Sequence, residues 1–117
     1  MLLDLQKGER NLLTLILVGQ DDLWRRVSRI PRIADRFAVK CRLQELDLTQ
    51  TAAYIRQRIE RCGGKPGIFP EEALRLIHDS SKGIPRRINS LCDLSLLMGS
   101  RRHATAVDAG VVKSIWV

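Results

Sequence analysis

The sequence predicts a mainly α-helical chain with a small α/β part. Two observations support this prediction: strand-like patterning occurs twice within residues 1–46, and helical patterning interrupted by Gly and Pro fills residues 47–117. We therefore expect two parallel strands with intervening helices in the first part and a bundle of four helices in the second. A chain of 117 residues fits one domain or two small subdomains.

The two predicted strands differ in their pattern. Residues 12–18 are apolar except for Thr14, and Gly19 ends the run, which is typical of a strand buried on both faces. Over residues 37–43, apolar residues at the odd positions alternate with Ala, Lys and Arg, which predicts a strand with one face more exposed to water. Because two strands leave a parallel sheet with an open face or edge, we expect this layer to be incomplete or to be completed by a partner.

Short helices are expected around the first strand. Residues 2–8 predict the end of a helix, with Gly8 as its stop. Asp21 and Asp22 favour the start of another helix, since acidic side chains stabilise a helix N-terminus. Pro31 interrupts that second helix.

The C-terminal part carries start signals for four helices. Thr49 can cap the first of them, which is expected to run to about Cys62. Pro70 and Pro85 can open the next two helices, because the first helical position needs no backbone N–H. Asp108 can cap the last helix.

Charge and composition exclude several classes of protein. The 20 Lys and Arg against 13 Asp and Glu give a net charge of +7, while aromatic residues make up only 4%. So few aromatic residues disfavour modules that stack single-stranded bases. The apolar runs fall far short of the roughly 20 residues of a membrane span, and the N-terminus does not have the pattern of a signal peptide. We therefore expect a cytoplasmic chain with no membrane insertion of its own, while other parts of a parent protein could associate with a membrane.

The cysteines show no metal-binding spacing. Cys41, Cys62 and Cys92 are separated from one another and from the two histidines, so no zinc site is expected. An odd number of cysteines without a motif predicts free thiols in a reducing compartment.

Motifs for phosphate binding and nucleophilic catalysis are absent from the sequence. Residues 63–67 (Gly-Gly-Lys-Pro-Gly) lack the spacing and the hydroxyl of the Gly-x4-Gly-Lys-[Ser/Thr] loop. Serines and histidines have no partner at a spacing typical of a catalytic triad. The candidate functional residues are therefore polar and basic residues outside these motifs.

Gln20 follows the first predicted strand. In an open α/β sheet this carboxyl end is where ligands bind. An amide at this position can bond a phosphate oxygen or orient a water molecule, although many polar residues at strand ends are simply loop residues.

Residues 25–42 contain seven Lys or Arg and one acidic residue, the densest charge in the chain. Three interpretations stay open. The stretch can be a solvated face, a contact surface for phosphate or nucleic acid, or a subunit interface that delivers an arginine to a neighbour's nucleotide.

Residues 83–89 (Gly-Ile-Pro-Arg-Arg-Ile-Asn) place an arginine at the start of a helix. Gly83 is a helix stop and Pro85 a helix start, so the position of Arg86 in the first turn is closely defined. Cations are mildly disfavoured there. An anion shared between Arg86 and the helix end is one reason for such a placement.

In this order, the segments resemble the C-terminal half of a AAA+ ATPase module, in particular the general secretion pathway protein A family and its relatives in pilus biogenesis and transposition. The resemblance covers nearly the whole chain. Its most specific parts are Leu-Val-Gly-Gln at 17–20 and Gly-Ile-Pro-Arg-Arg-Ile-Asn at 83–89. Further matches are Thr-Ala-Ala-Tyr-Ile-Arg at 51–56 and Cys-Gly-Gly at 62–64.

The resemblance implies roles for individual residues. Gln20 matches sensor 1, the residue beside the γ-phosphate of the nucleotide. Arg36 matches an arginine finger that acts on a neighbouring subunit, with Arg32 as the alternative. Arg86 matches sensor 2, which reaches from a helical lid to the bound phosphates.

The resemblance also implies a nucleotide site in the parent module. Ile84 and Pro85 would lie near the nucleotide, and Tyr54 or Ile55 would line its adenine side. Residues 1–46 would then belong to the AAA+ core and residues 47–117 to the lid. The cofactor of that module would be ATP or ADP with Mg²⁺.

The chain departs from the family because it has neither the phosphate-binding loop nor the acidic metal-binding strand. We expect a fragment of a longer ATPase, or a free-standing remnant, that binds no nucleotide tightly and hydrolyses no ATP by itself. Expected partners are the rest of the ATPase module, neighbouring subunits of an oligomer, and secretion or pilus machinery.

Two alternatives come from other classes of function. The first is a small basic DNA-binding protein that uses Arg25, Arg26, Arg29 and Arg42, with affinity that falls steeply with salt. The second is a self-associating interaction domain that buries its open sheet edge in a dimer.

Overall fold

A computed structural model of the chain describes residues 6–8 and 10–116. These residues are mainly helical, as the sequence predicts. The chain divides into two units, Met1–Arg42 and Leu43–Val117. The predicted division lay between residues 46 and 47.

Within residues 6–8 and 10–42, the first unit contains two short helices and one very short pair of strands. The helices are α1 (Asp22–Ser28) and α2 (Pro31–Ala34), so α1 ends just before Pro31 as predicted. The strands β1 (Gln6–Lys7) and β2 (Arg10–Asn11) pair antiparallel, with Gln6 opposite Asn11.

The helix end predicted over residues 2–8 is wrong in the part that the structure describes. Gln6 and Lys7 are in a strand, and Gly8 has a φ of +64°, which suits a turn after them. A glycine stop is compatible with either a helix end or a hairpin turn, so this signal was ambiguous. Leu2, Leu3 and Leu5, on which the prediction rested, lie outside the described residues.

The two predicted parallel strands are also wrong. Residues 13–19 and 38–45 make no backbone hydrogen bond with any residue that the structure describes. A strand needs a neighbour for its N–H and C=O groups, and neither segment has one among those residues. As a result the apolar run is not buried: Ile16 is 78% exposed and Val18 90% exposed.

The second unit is a bundle of four α-helices, which agrees with the predicted helical part. The helices are α3 (Leu48–Arg61), α4 (Glu71–Ser81), α5 (Pro85–Arg101) and α6 (Ala109–Lys113). Two 3₁₀ turns, Pro66–Ile68 and Ser114–Trp116, lie after α3 and after α6.

Helix α4 packs against α3, α5 and α6, so the core of the bundle gathers around it. Its apolar residues recur at helical spacing and face inward, which removes them from water. The core residues with an exposed fraction of 1% or less are Phe69, Ala73, Leu74, Ile77, Ile88 and Val112.

The cap of α3 is Asp47, not Thr49 as predicted. The Asp47 carboxylate accepts a hydrogen bond from the Gln50 backbone N–H at 2.7 Å, and the Gln50 side chain accepts one from the Asp47 N–H at 3.0 Å. This reciprocal capping box satisfies two backbone donors at the helix start. Asp108 caps α6 as predicted, by accepting from the Val111 N–H at 2.9 Å.

We expect Asp47→Ala to lower the free energy of unfolding by about 1 kcal/mol, because the first turn of α3 loses its capping acceptor. The matched control is Thr49→Ala, which removes the other capping candidate and is expected to change it by less than about 0.5 kcal/mol. Urea denaturation followed by circular dichroism measures both. A larger loss for Thr49→Ala than for Asp47→Ala would contradict the observed cap.

Candidate functional site

Arg86 lies in the first turn of α5, where the sequence predicted it. Pro85 occupies the first helical position and Ile84 precedes it as the N-cap. The Arg86 and Arg87 side chains are exposed. Neither guanidinium has a hydrogen bond or an ion pair with any residue that the structure describes.

A shallow open groove runs beside these arginines. Its volume is about 410 Å³, and its lining is formed by the end of α4 and the first turns of α5: Ser80, Arg86, Arg87, Ser90 and Leu91. The two guanidinium groups and the Ser80 hydroxyl supply donors in several directions, which suits the oxygens of a phosphate, whereas the Ser90 hydroxyl already donates to the Arg86 carbonyl at 3.1 Å. Arginine is well suited to that task, because its fork of N–H groups matches phosphate geometry.

The loop that leads to Arg86 is held by short-range hydrogen bonds. The Ser81 side chain is fully buried, and its hydroxyl accepts from the Gly83 N–H at 3.2 Å while donating to the His78 carbonyl at 3.2 Å. The Ile84 N–H donates to the Ser81 carbonyl at 3.2 Å. Lys82 and Gly83 have φ angles of 57° and 72°, so the chain turns sharply between α4 and α5.

A hydrogen bond between α3 and α5 also restrains the first turns of α5. The Tyr54 hydroxyl donates to the Asn89 side-chain oxygen at 2.8 Å. The Arg58 guanidinium lies 5.7 Å from the centre of the Tyr54 ring, within the range of a cation–π contact. Asn89 is one turn after Arg86, so this bond restrains the helix turn that carries Arg86.

The remaining nucleotide contacts that the resemblance implies differ in accessibility. Pro85 is exposed and Ile84 half-buried, and both adjoin Arg86 in the chain. Ile55 is only 3% exposed and belongs to the core of the bundle, whereas its neighbour Tyr54 is half-buried. Tyr54 therefore offers more surface to a ligand than Ile55.

Sequence reasoning missed the two hydroxyl residues of the groove. Ser90 is four residues after Arg86, a spacing that puts both on one helix face and could have identified it. Ser80 comes from α4, and only the packing of α4 against α5 brings it to the groove.

Gln20, Arg32 and Arg36 lie in the other unit, so the predicted residues are divided between the two units. All three are exposed. Gln20 does not end a strand: it precedes α1, and its backbone carbonyl accepts from the Leu23 N–H at 2.9 Å. Arg32 lies within α2, and the Arg36 backbone N–H donates to the Ile33 carbonyl at 3.0 Å just after that helix.

The arginines proposed for DNA contact are exposed, but two of them pair with acidic residues. Arg26 lies 3.1 Å from Asp22, and Arg42 lies 3.4 Å from Asp21. Both ion pairs are largely exposed and add little stability, yet they reduce the charge available to a polyanion.

Arg25 and Arg29 complete this group of candidates. Their guanidinium groups have no ion pair among the described residues. In the same basic stretch, Lys40 sits 3.8 Å from the centre of the Trp24 ring, so part of the stretch covers an aromatic face.

The other reactive side chains give no further site. Burial, followed by the charge of Asp93, raises the pKa of Cys92 to about 12 against a smaller opposing effect of Arg58, so its thiol stays protonated and unreactive. Cys41 and Cys62 are exposed free thiols.

No three His, Cys, Asp or Glu side chains in the described ranges cluster as metal ligands. In the same ranges, no helix combines the length and the hydropathy that a membrane crossing requires.

The chain is similar to general secretion pathway protein A of Aeromonas hydrophila. The two are 33% identical over 112 residues, which is 94% of this chain. The chain spans about a fifth of the length of that relative. No protein-family model matches the chain, and no solved structure matches it either.

Proposed function

We propose that this chain is the sensor and lid part of a AAA+ ATPase module of the general secretion pathway type. The similarity to general secretion pathway protein A extends along 94% of the chain and supports the pathway assignment. The observation that carries the proposal is Arg86, which has no ion pair or side-chain hydrogen bond among the described residues, beside a groove with a second arginine and the Ser80 hydroxyl. This arrangement offers donors to phosphate from one end of a helical bundle.

The residues of the groove fit a phosphate group better than a metal ion. Arg86 presents the N–H groups of its guanidinium in a fixed fork, and Ser80 supplies a hydroxyl at the same groove. Among the described residues the groove is lined by arginine, serine and leucine and by no carboxylate, so we assign to it only the phosphates of the nucleotide. ATP with Mg²⁺ would supply the transferable phosphoryl group, and Arg86 would stabilise its negative charge.

In the same proposal the first unit contributes Gln20 and Arg36. The Gln20 amide would orient a water molecule or a phosphate oxygen, and Arg36, or Arg32 in its place, would stabilise charge on the nucleotide of a neighbouring subunit. The partners would then be the rest of the ATPase module, neighbouring subunits and secretion or pilus machinery. Such a chain would work in the cytoplasm.

The isolated chain is expected to bind ADP weakly, with a Kd of about 1 mM, and to release no phosphate from ATP above background. Titration calorimetry and a phosphate-release assay measure these two properties. Arg86→Ala should weaken ADP binding at least about tenfold, because it removes a charge-assisted contact.

The matched control for this titration is Arg101→Ala, which removes the same charge from the far end of α5. It lies roughly 22 Å from Arg86 along the helix axis and should leave ADP affinity unchanged. ATP turnover by the isolated chain that survives both Arg86→Ala and Arg36→Ala would contradict the proposal.

DNA binding is a second candidate, favoured by Arg25 and Arg29, which are exposed and have no ion pair with any residue that the structure describes. It requires a shift of a labelled duplex that weakens steeply between 50 and 200 mM salt, by about tenfold or more. Replacement of both arginines by alanine should then abolish the shift. A flat salt response, or no shift at low salt, removes this candidate.

Self-association is the third candidate, favoured by the exposed apolar run over residues 12–18. The backbone groups of residues 13–18 bond to no other described residue, so they can pair with a second chain. Size-exclusion chromatography with light scattering decides the matter, since a monomer at high concentration removes this candidate.

A further inference from the structure

Leu46 and Gly83 form a backbone contact directly before the loop that carries Arg86. The Leu46 N–H donates to the Gly83 carbonyl at 2.8 Å. A Cβ atom added to Gly83 would lie 2.0 Å from the Leu46 carbonyl oxygen and 3.0 Å from the Leu46 carbonyl carbon and nitrogen. The two residues therefore pack backbone against backbone, and only glycine fits at position 83.

Leu46 restrains the short segment that precedes α3, the first helix of the second unit. Among residues 38–46 it is the one described residue whose backbone bonds to another part of the chain. Its side chain also packs against the core of the bundle. Asp47 follows as the cap of α3, so the entering chain is fixed at Leu46 just before α3 begins.

Gly83 likewise restrains the start of α5, which begins two residues later. Arg86 follows three residues later, and the intervening residues are restrained: the Ile84 N–H bonds to the Ser81 carbonyl, and Pro85 has a fixed φ. We therefore expect a displacement of Leu46 to move the Gly83 carbonyl and, through the short restrained segment, Arg86.

We propose that the Leu46–Gly83 contact is a positioning contact, through which the segment that enters the helical unit sets the position of Arg86 and so its affinity for phosphate. The part about phosphate rests on the function proposed above. The geometric part, a coupling between residue 46 and the start of α5, stands without it.

The test compares Gly83→Ala with Gly63→Ala. Both glycines have a positive φ, 72° and 80°, so both substitutions strain the backbone in the same way. Only Gly83→Ala meets Leu46, because a Cβ at Gly63 has no atom within 4 Å. The measurements are amide hydrogen exchange at Leu46, NMR shifts of residues 86–88, and the Kd for ADP.

In Gly83→Ala we expect Leu46 exchange to accelerate about tenfold or more and residues 86–88 to shift. The Kd for ADP should rise by about three- to tenfold, the effect of one misplaced hydrogen-bonding group. Gly63→Ala should change none of the three. Unchanged shifts at 86–88 in Gly83→Ala, or a Leu46 amide without protection in the wild type, would overturn the coupling.

A second variant keeps the test decisive should Gly83→Ala fail to fold. Replacement of Leu46 by its α-hydroxy acid removes the N–H donor and adds no atom. Cys41 and Cys62 are free and exposed, so they provide ligation junctions on both sides of position 46. Residues 86–88 should shift in this ester variant, and unchanged shifts there would overturn the proposal. A wild type that binds no ADP would instead refute the proposed function, while the shifts still decide the coupling.

Discussion

Arg86→Ala is expected to lower ATP turnover by about 100-fold in a chimera in which this chain replaces the matching residues of the Aeromonas relative. The chimera supplies the remainder of the module, which the proposal requires for hydrolysis. Arg86 would place its guanidinium against the transferred phosphoryl group, and the loss of one such donor typically costs two to three orders of magnitude in rate. A coupled assay for ADP release measures the rate.

Two further variants sharpen this prediction. Arg86→Lys keeps the charge but loses the planar fork, so we expect an intermediate rate. Arg101→Ala removes an arginine from the other end of the same helix and should retain the rate of the unsubstituted chimera. If Arg86→Ala and Arg101→Ala turned over ATP equally fast in an active chimera, Arg86 would have no role in hydrolysis.

Leu74→Ala is expected to lower the free energy of unfolding by about 3–4 kcal/mol, the largest effect on stability that we predict. Leu74 is fully buried in α4, the helix that packs against the other three. Its truncation loses the transfer free energy of the removed methyl groups and leaves a cavity that close-packed neighbours fill only in part. Urea denaturation followed by circular dichroism reports on the helices of this unit.

The matched control is Leu94→Ala, the same substitution at a position that is 51% exposed on α5. It should cost less than about 1 kcal/mol, since little packing is lost at the surface. Equal losses for the two variants would show that the core of the bundle is not centred on α4.

The helices of the second unit were predictable because their signals are local. Pro85 opens α5 and Asp108 caps α6, and each signal acts within a few residues of itself. The sequence predicted Thr49 as the cap of α3, whereas the structure has Asp47, and the cause of this difference is local too. Both residue types cap helices well, and the Gln50 side chain selects the one three residues before it.

The strands were not predictable because pairing is a non-local property. Residues 12–18 have the composition of a buried strand, but composition does not supply the neighbouring strand to which its backbone must bond. In the described part of the chain that neighbour is missing, so Ile16 and Val18 remain exposed. A strand pattern therefore predicts a strand only together with its partners.

The candidate site shows the same difference between local signals and contacts of distant segments. Gly83, Pro85 and Arg86 lie within four positions of the sequence, so the position of Arg86 could be predicted from local signals. The contribution of Ser80 and the contact with Leu46 depend on packing between distant segments, and no pattern in the sequence indicated them.

The most direct test of phosphate binding by Arg86 is NMR of the arginine side chains during a titration of the chain with ADP. The Nε–Hε signal of Arg86 should move most, with smaller changes at Arg87 and none at Arg101, because only the first two line the groove. A titration in which the signals of Arg25 or Arg29 move most, or in which no arginine of α5 moves, would contradict the central claim.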